Sequence, residues 1–314
     1  MKQQGEEMEK VVVIAGPTAS GKTELAINLA KITSGEIISS DSMQIYKYMD
    51  IGTAKPSKEE IQGIPHHMLD VVSPEEPFNV SLYKEKAEVI ISDILKRNKL
   101  PIIAGGTGLY INSLIYNIKF SETVCDEEFR ERMNQLAITE GPQKLHEMLK
   151  KVDPESAARI HCNNIKKVIR ALEVYEFTQK PISQHQKESR MEPPPYHYLI
   201  FILDMDRDEL YRRIDARVDY MVANGLIEEV NNLKKRGCDE SLTSMQGLGY
   251  KEIFRYLDNK ISYEDAIKII KRDTRHYAKR QITWFKAINE ATWLPAGKRN
   301  LEKNTKIIKE QLET

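Results

Sequence analysis

The stretch best equipped for chemistry is GPTASGKT: Gly16, Pro17, Thr18, Ala19, Ser20, Gly21, Lys22 and Thr23. It fits G-x-x-x-x-G-K-[ST], and it lies between an apolar run and a helical pattern, where a phosphate-binding loop belongs. Glycines let the backbone close around phosphate because no Cβ obstructs the approach. Backbone amides and the following helix N-terminus then supply positive potential. In that arrangement Lys22 neutralises phosphate oxygens and the Thr23 hydroxyl holds magnesium. The bland alternative is a glycine-rich strand-to-helix turn with an incidental lysine.

Such a loop specifies phosphate rather than ATP. An ordinary P-loop ATPase or kinase also carries an Asp that steers magnesium. Here the next strongly apolar strand, residues 101–104, runs into Gly105-Gly106-Thr107, and the expected acid is missing. Asp41, at the end of the preceding strand, is the nearest substitute. This departure argues against a standard nucleotide kinase.

The elements that position these residues can be read from hydrophobic periodicity. Residues 11–15 (VVVIA) are wholly apolar and largely β-branched, as in a buried parallel strand. Residues 24–31 have helical spacing, 36–38 form a second strand ending at Ser39-Ser40-Asp41, and 80–97 form a helix with Ser81 as its cap. Residues 100–104 are a third strand. This alternation predicts a P-loop NTPase-like α/β core with a parallel sheet. From about Ser121 the pattern turns helical, with Asp126 and Asp153 as caps and Ile165, Ile169, Leu172 and Phe177 on one face. Glu192-Pro193-Pro194-Pro195 reads as a boundary. A strand at 198–203 follows, then helices at 208–223, 227–235, 250–257 and 263–286. The expected organisation is a core of residues 1–120 and 197–314, carrying the donor and catalytic site. Residues 121–196 form a mainly helical insertion domain.

Composition sets outer bounds. The chain has 314 residues, with 47 basic and 47 acidic side chains, so total charge points to no partner. Charge distribution along a groove matters more for RNA than the total. The three cysteines, Cys125, Cys162 and Cys238, form no zinc spacing and no disulfide framework. That usage fits a cytoplasmic protein. The first ten residues lack the apolar core of a signal peptide, and no run is long enough to span a membrane.

Beyond the P-loop, further blocks carry a resemblance. DSMQIYKYMDIGTAKP (residues 41–56), PIIAGGTGLY (101–110), IKKVIRALEVYE (165–176), SMQGLGYKE (244–252) and TRHYAKRQITWF (274–285) resemble the signature blocks of tRNA dimethylallyltransferases. So does the run from Arg213 to Arg217 followed by Gly225-Leu226. The blocks span nearly the whole chain in the family's order. The bacterial form is the closer likeness, because the zinc finger of many eukaryotic relatives is absent.

The resemblance implies a prenyltransferase of class 2.5.1, with dimethylallyl diphosphate as donor. Its acceptor is the N6 amine of adenosine 37, beside the anticodon in the tRNA anticodon stem-loop, and diphosphate is released. It implies Mg2+ as cofactor and a monomer. The P-loop, Gly16 to Thr23, then holds the donor diphosphate. Lys22, magnesium on Thr23 and Arg217 stabilise the leaving group. Asp41 matches the family's general base, which takes the proton from the attacking amine. Thr107 matches a residue contacting the reacting region. Read from spacing alone, Asp41 is a turn cap, Arg217 a solvated helix charge and Thr107 a turn residue.

The target base must leave its stack to be reached. Asp41, Ser42, Met43, Gln44 and Thr107 match the RNA side of the family's site. Arg130, Lys166, Lys167 and Arg170 match RNA contacts in the insertion. Gln246, Gly249, Tyr250 and Lys251 match another segment, and Arg275, Lys279, Arg280, Gln281 and Trp284 the last. Independently of the family, Lys268, Arg272, Arg275 and Lys279 recur at helical spacing as a basic stripe beside Tyr277. Core packing is an equal alternative for Trp284. His66-His67 lacks the spacing of a metal pair and fits a structural role, and Asp206 fits a helix cap. The competing readings are a P-loop kinase and a non-catalytic RNA-binding module with a vestigial loop.

Overall fold

Strand β1 (Lys10–Ala15) is buried from Val11 onward. Such a strand needs cover on both faces, and a parallel sheet flanked by helices provides it. In the computed structural model, which describes residues 8–120, 126–189 and 191–314, β1 lies inside a six-stranded sheet. Its companions are β2 (Glu36–Ser40), β3 (His66–His67), β4 (Pro101–Gly105), β5 (His197–Asp204) and β6 (Thr292–Pro295). The order is β3-β2-β4-β1-β5-β6, and the neighbouring strands pair in parallel.

That order fixes where a site can form. The chain leaves β1 for β2 on one side, and β5 returns on the other. Ligands of open parallel sheets bind beyond the carboxyl ends of the strands at such a reversal. The carboxyl ends of β1, β2 and β4 deliver the phosphate loop, Asp41 and Thr107 there.

One sheet face is sealed by the helices Lys22–Thr33 and Leu301–Glu313, whose Leu25, Leu29 and Ile308 pack with Val12, Ile14, Ile102 and Phe201. The helix Val80–Lys96 packs against β2 and β4. Its cap is Asn79, not Ser81. The Asn79 side chain accepts from the Ser81 and Leu82 amides, because its backbone is still extended where Ser81 is already helical. Such a cap contributes about 1 kcal/mol.

The described chain divides into two compact units. One runs up to Ile115 and resumes at Pro195–Thr314; the other is Tyr116–Pro194. These divisions fall a few residues before the boundaries expected from the sequence. Ser121 and Cys125 lie outside the described residues. The second unit is helical: Glu127–Thr139, Pro142–Val152, Pro154–Arg159, Ile165–Thr178 and Ile182–Glu188. Asp126 and Asp153 cap their helices as expected. Ile169 and Leu172 are buried with Leu145 and Leu149, whereas Phe177 is 43 % exposed and leaves the expected face. A helix turns 100° per residue, so Phe177 falls past the stripe, where it meets the Phe129 ring edge-on.

Candidate active site

The phosphate loop begins where β1 ends. Gly21 adopts φ 93°, a left-handed conformation that glycine tolerates, and it precedes Lys22–Thr33 without a side-chain cap. The first amides of that helix are therefore left for a ligand. Ala19 also has positive φ, 64°. Strain of this kind costs about 1–3 kcal/mol and gathers where function requires a fixed loop.

Two cations occupy this loop. Lys22 donates to the Pro17 carbonyl at 2.8 Å, and Arg217 donates to the Thr18 hydroxyl at 3.3 Å. Burial first, and then the charge of Arg217, lower the Lys22 ammonium to about 7, against the opposing effect of Asp41. Burial also holds Arg217 below its ordinary value. Arg217 is thus no solvated helix charge, which was its reading from spacing alone. Two cations held together at such cost form a site suited to a multiply charged anion.

Asp41 follows β2, and its Oδ1 accepts the Met43 amide at 2.9 Å. It therefore makes the turn and also faces the cations. Thr107 ties the ends of β2 and β4 together. Its amide donates to the Ser40 carbonyl at 3.0 Å, and its hydroxyl accepts from the Ser42 amide at 3.0 Å. Strand register brings Gly105 beside Ser40. A Cβ on Gly105 would lie 2.2 Å from the Ser40 carbonyl oxygen, so only glycine permits this approach.

Some of these groups line a cavity of about 330 Å³. Thr18, Asp41, Ser42 and Arg217 form its polar end. Ile214, Val218, Met221 and Ile270 contribute apolar surface. Tyr277 also lines it, raised to about 12 by burial and then by Asp41, so it stays neutral. A charged end against an apolar wall suits an amphiphile with a short hydrocarbon tail.

Thr23 is exposed at the second position of the helix. One hydroxyl oxygen, completed by phosphate oxygens and water, is the donor set that Mg2+ prefers. No cluster of three or more His, Cys, Asp or Glu side chains occurs among the described residues. A magnesium held chiefly by substrate phosphates does not require one.

Other predicted positions divide by burial. Met43, Gln246 and Gly249 line the cavity, and Lys251 is exposed. Gln44 spends its amide locally, donating to the Thr53 and Ala54 carbonyls and accepting from Ser39. Two of the expected RNA contacts have buried side chains with partners inside the protein. Tyr250 is 0 % exposed and donates to Glu229 at 2.6 Å. Gln281 is 5 % exposed, with its amide bonded to Thr18 and Gly106. Tyr250 forms part of the cavity wall, and Gln281 braces the phosphate loop from behind. Trp284 is 42 % exposed and lies across Gly108, so the core reading fails. Arg280 is exposed at the cavity, and Lys279 is exposed. The basic stripe is partly neutralised, since Arg275 pairs with Asp215 at 2.6 Å and Arg272 with Asp273 at 2.7 Å.

In the second unit, Arg130 and Arg170 share the fully buried Glu173. Burial pushes that carboxyl up, but hydrogen bonds from both guanidinium groups outweigh it and hold it low. Lys166 and Lys167 are exposed on the same helix, Ile165–Thr178. Of the remaining expectations, His67 bonds Glu36 and His66 the Ile64 carbonyl, both structural contacts, and Asp206 caps Arg207–Ala223.

The family model for IPP transferase matches residues 44–288. The chain belongs to the IPP transferase family. It is 55 % identical over 302 residues to a tRNA dimethylallyltransferase of Acetivibrio thermocellus, covering 96 % of each chain. Among solved structures, it resembles the full-length tRNA isopentenylpyrophosphate transferase of Bacillus halodurans with TM-score 0.73 and 42 % identity over 97 % of both chains. It also resembles a eukaryotic dimethylallyltransferase described as acting on tRNA, with TM-score 0.76 and 32 % identity, covering 93 % of this chain and 75 % of that one.

Sequence reasoning about this IPP transferase overlooked its apolar wall. Ile214, Val218 and Met221 recur at helical spacing, the ordinary signature of a core-facing stripe. That pattern cannot distinguish core from cavity. The one available signal was Arg217, a charge set within the stripe.

Proposed function

We propose that this IPP transferase moves the dimethylallyl group from dimethylallyl diphosphate to the N6 amine of adenosine 37 in tRNA, releasing diphosphate. The observation that carries the reading is Arg217 with Asp41 at one end of a cavity walled by apolar side chains, with Lys22 of the phosphate loop near enough to feel both charges. The diphosphate sits on the loop amides of Gly16 to Thr23, with Lys22 and Arg217 against its oxygens. The five-carbon tail lies along Ile214, Val218 and Met221, which exclude water from the allylic carbon.

As the carbon–oxygen bond breaks, its electron pair goes to the diphosphate. Lys22, Arg217 and the helix N-terminus stabilise the growing charge. Mg2+, held through Thr23 and the phosphates, adds positive charge there when bound. The adenine nitrogen bonds to the allylic carbon, and Asp41 accepts the proton that nitrogen loses. Thr107 and Ser42 keep the Asp41 turn against β4. The exposed Lys166 and Lys167, together with Arg130 and Arg170, contact the tRNA anticodon stem-loop through phosphates. Lys251, Arg275, Lys279, Arg280 and Trp284 do the same from the first unit. The protein works as a cytoplasmic monomer. No described helix is long and apolar enough to cross a membrane.

The deciding experiment incubates protein, magnesium and unmodified tRNA with labelled dimethylallyl diphosphate. Label should pass to tRNA without ATP. Consumption of ATP without prenyl transfer would overturn the reading and favour a kinase.

A further inference from the structure

Glu229 lies on the helix Leu226–Lys235, which contributes nothing to the lining of the reaction cavity. It faces a separate groove of about 650 Å³ with Tyr48, Asn232 and Arg236. Yet its carboxylate gathers three consecutive backbone amides. Oε2 accepts from Asp50 at 2.8 Å and from Ile51 at 2.7 Å, and Oε1 accepts from Gly52 at 3.1 Å. Oε1 also accepts the Tyr250 hydroxyl at 2.6 Å.

This hub sits behind the cavity wall. Gly52, Thr53 and Tyr250 all line the cavity. The Tyr250 ring lies so close to Gly52 that a Cβ there would be 2.5 Å from it. Burial and the Glu229 charge hold the Tyr250 phenol well above its ordinary value, so it remains a donor. The turn at Gly52 is tied onward to the catalytic strand. Gln44 donates to the Thr53 and Ala54 carbonyls at 3.2 Å each and accepts from Ser39 at 3.0 Å. Ser39 is two residues from Asp41. A continuous set of hydrogen bonds therefore runs from Glu229 through the 50–54 turn to β2, the strand that Asp41 follows.

We infer that Glu229 is a positioning residue for prenyl transfer: it fixes the 50–54 turn and Tyr250, and through Gln44 the placement of Asp41 beside the acceptor amine. The inference rests on the transfer reaction proposed above. Phosphate binding hangs on other contacts, those of Thr18 with Gln281 and Arg217. Displacing the turn should therefore slow transfer without loosening the diphosphate. Small displacements of a reacting group cost large rate factors, because the bound geometry is what makes the step effectively unimolecular.

Glu229→Gln tests this. A carboxamide keeps the shape but turns an NH2 toward backbone amides that are themselves donors. Two quantities are measured: kcat for transfer from saturating dimethylallyl diphosphate to saturating unmodified tRNA, and affinity for inorganic pyrophosphate by calorimetry. The expected result is a fall in kcat of about fivefold or more with pyrophosphate affinity within about twofold of wild type. A smaller change in kcat, or a fall in pyrophosphate affinity that matches it, would overturn the inference. If Glu229→Gln does not fold, Tyr250→Phe decides by the same criteria, since it keeps the ring against Gly52 and removes one bond of the hub. Wild-type protein that transfers no prenyl group defeats the underlying reading instead, so the two failures are distinct.

Discussion

The Gln281 side chain accepts the Thr18 backbone amide at 2.9 Å, while its own amide donates to the Gly106 carbonyl at 2.9 Å. One buried carboxamide thus sets the spacing between the phosphate loop and the Gly105-Gly106-Thr107 turn. Gln281→Ala would leave two backbone groups without partners in a nearly dry site. Each costs about 1–3 kcal/mol. The expected loss of stability is about 2–4 kcal/mol by denaturant unfolding. Gln281→Glu should still accept from Thr18 but cannot donate to Gly106, and it brings negative charge toward the diphosphate. Its donor affinity should fall further than that of the alanine variant. Equal donor affinity in the two variants would refute the geometry.

Gly105 offers a sharper steric test. Its missing side chain is replaced by the Ser40 backbone, 2.2 Å from where a Cβ would stand. Backbone held in a central strand cannot move aside. Gly105→Ala should therefore force β2 and β4 apart, at a cost of about 3 kcal/mol or more. It should also detach Thr107 from Ser40. Thermal unfolding of Gly105→Ala at or near the wild-type temperature would show that the strands yield where the packing says they cannot.

Much of this was legible in the sequence, for a physical reason. A phosphate loop is local: eight consecutive residues carry the turn, the amides and the charge. β1 and β4 were readable because burial on both faces makes a continuous apolar run, and the helix Tyr250–Leu257 because burial of one face imposes a period. β3 was not, since two residues, His66 and His67, carry no period and are a strand only through pairing with β2. β6 and the helix Leu301–Glu313 lay beyond the blocks that drew attention. Gln281 was assigned to RNA by resemblance to the family's last RNA-contacting segment. Its partners lie 263 and 175 residues away, and no local pattern reports them. Arg217 was misjudged by spacing and rescued by resemblance, because only the fold shows its burial beside Lys22.

The depressed Lys22 ammonium makes donor binding depend on pH. Burial is the larger cause and Arg217 the second, and together they bring it to about 7. The unfolded chain keeps the ordinary lysine value, so between pH 7 and the lysine range it binds more protons than the folded one. In the empty protein, charged Lys22 therefore costs stability below pH 7, and that cost fades as pH rises above it. A bound diphosphate reverses the balance by favouring the charged form. At pH 8, binding should take up about one proton; at pH 6 the lysine is already charged and should take up none. Calorimetry in two buffers of different ionisation enthalpy measures the uptake. Arg217→Ala removes the second cause and should reduce the uptake at pH 8. No uptake by wild type at pH 8 would mean that Lys22 is already charged in the empty loop.

Asp41 holds two roles that one substitution can separate. Its Oδ1 accepts the Met43 amide at 2.9 Å and so builds the turn that follows β2. Its carboxylate also stands at the cavity with Arg217, close enough to influence Lys22, and is the proposed acceptor of the amine proton. Asp41→Asn keeps an oxygen for Met43 and removes the basicity. The turn should survive, with stability changed by less than about 1 kcal/mol. Turnover should fall by about 10²- to 10⁴-fold, the usual range for a lost general base. Affinities for tRNA and pyrophosphate should change far less, because a base acts mainly in the transition state. Asp41→Ala should show the same loss of turnover with an added loss of stability from the vacant cap. If Asp41→Asn turns over at near wild-type rate while Asp41→Ala is unstable, Asp41 is a turn residue alone and the proton leaves by another route.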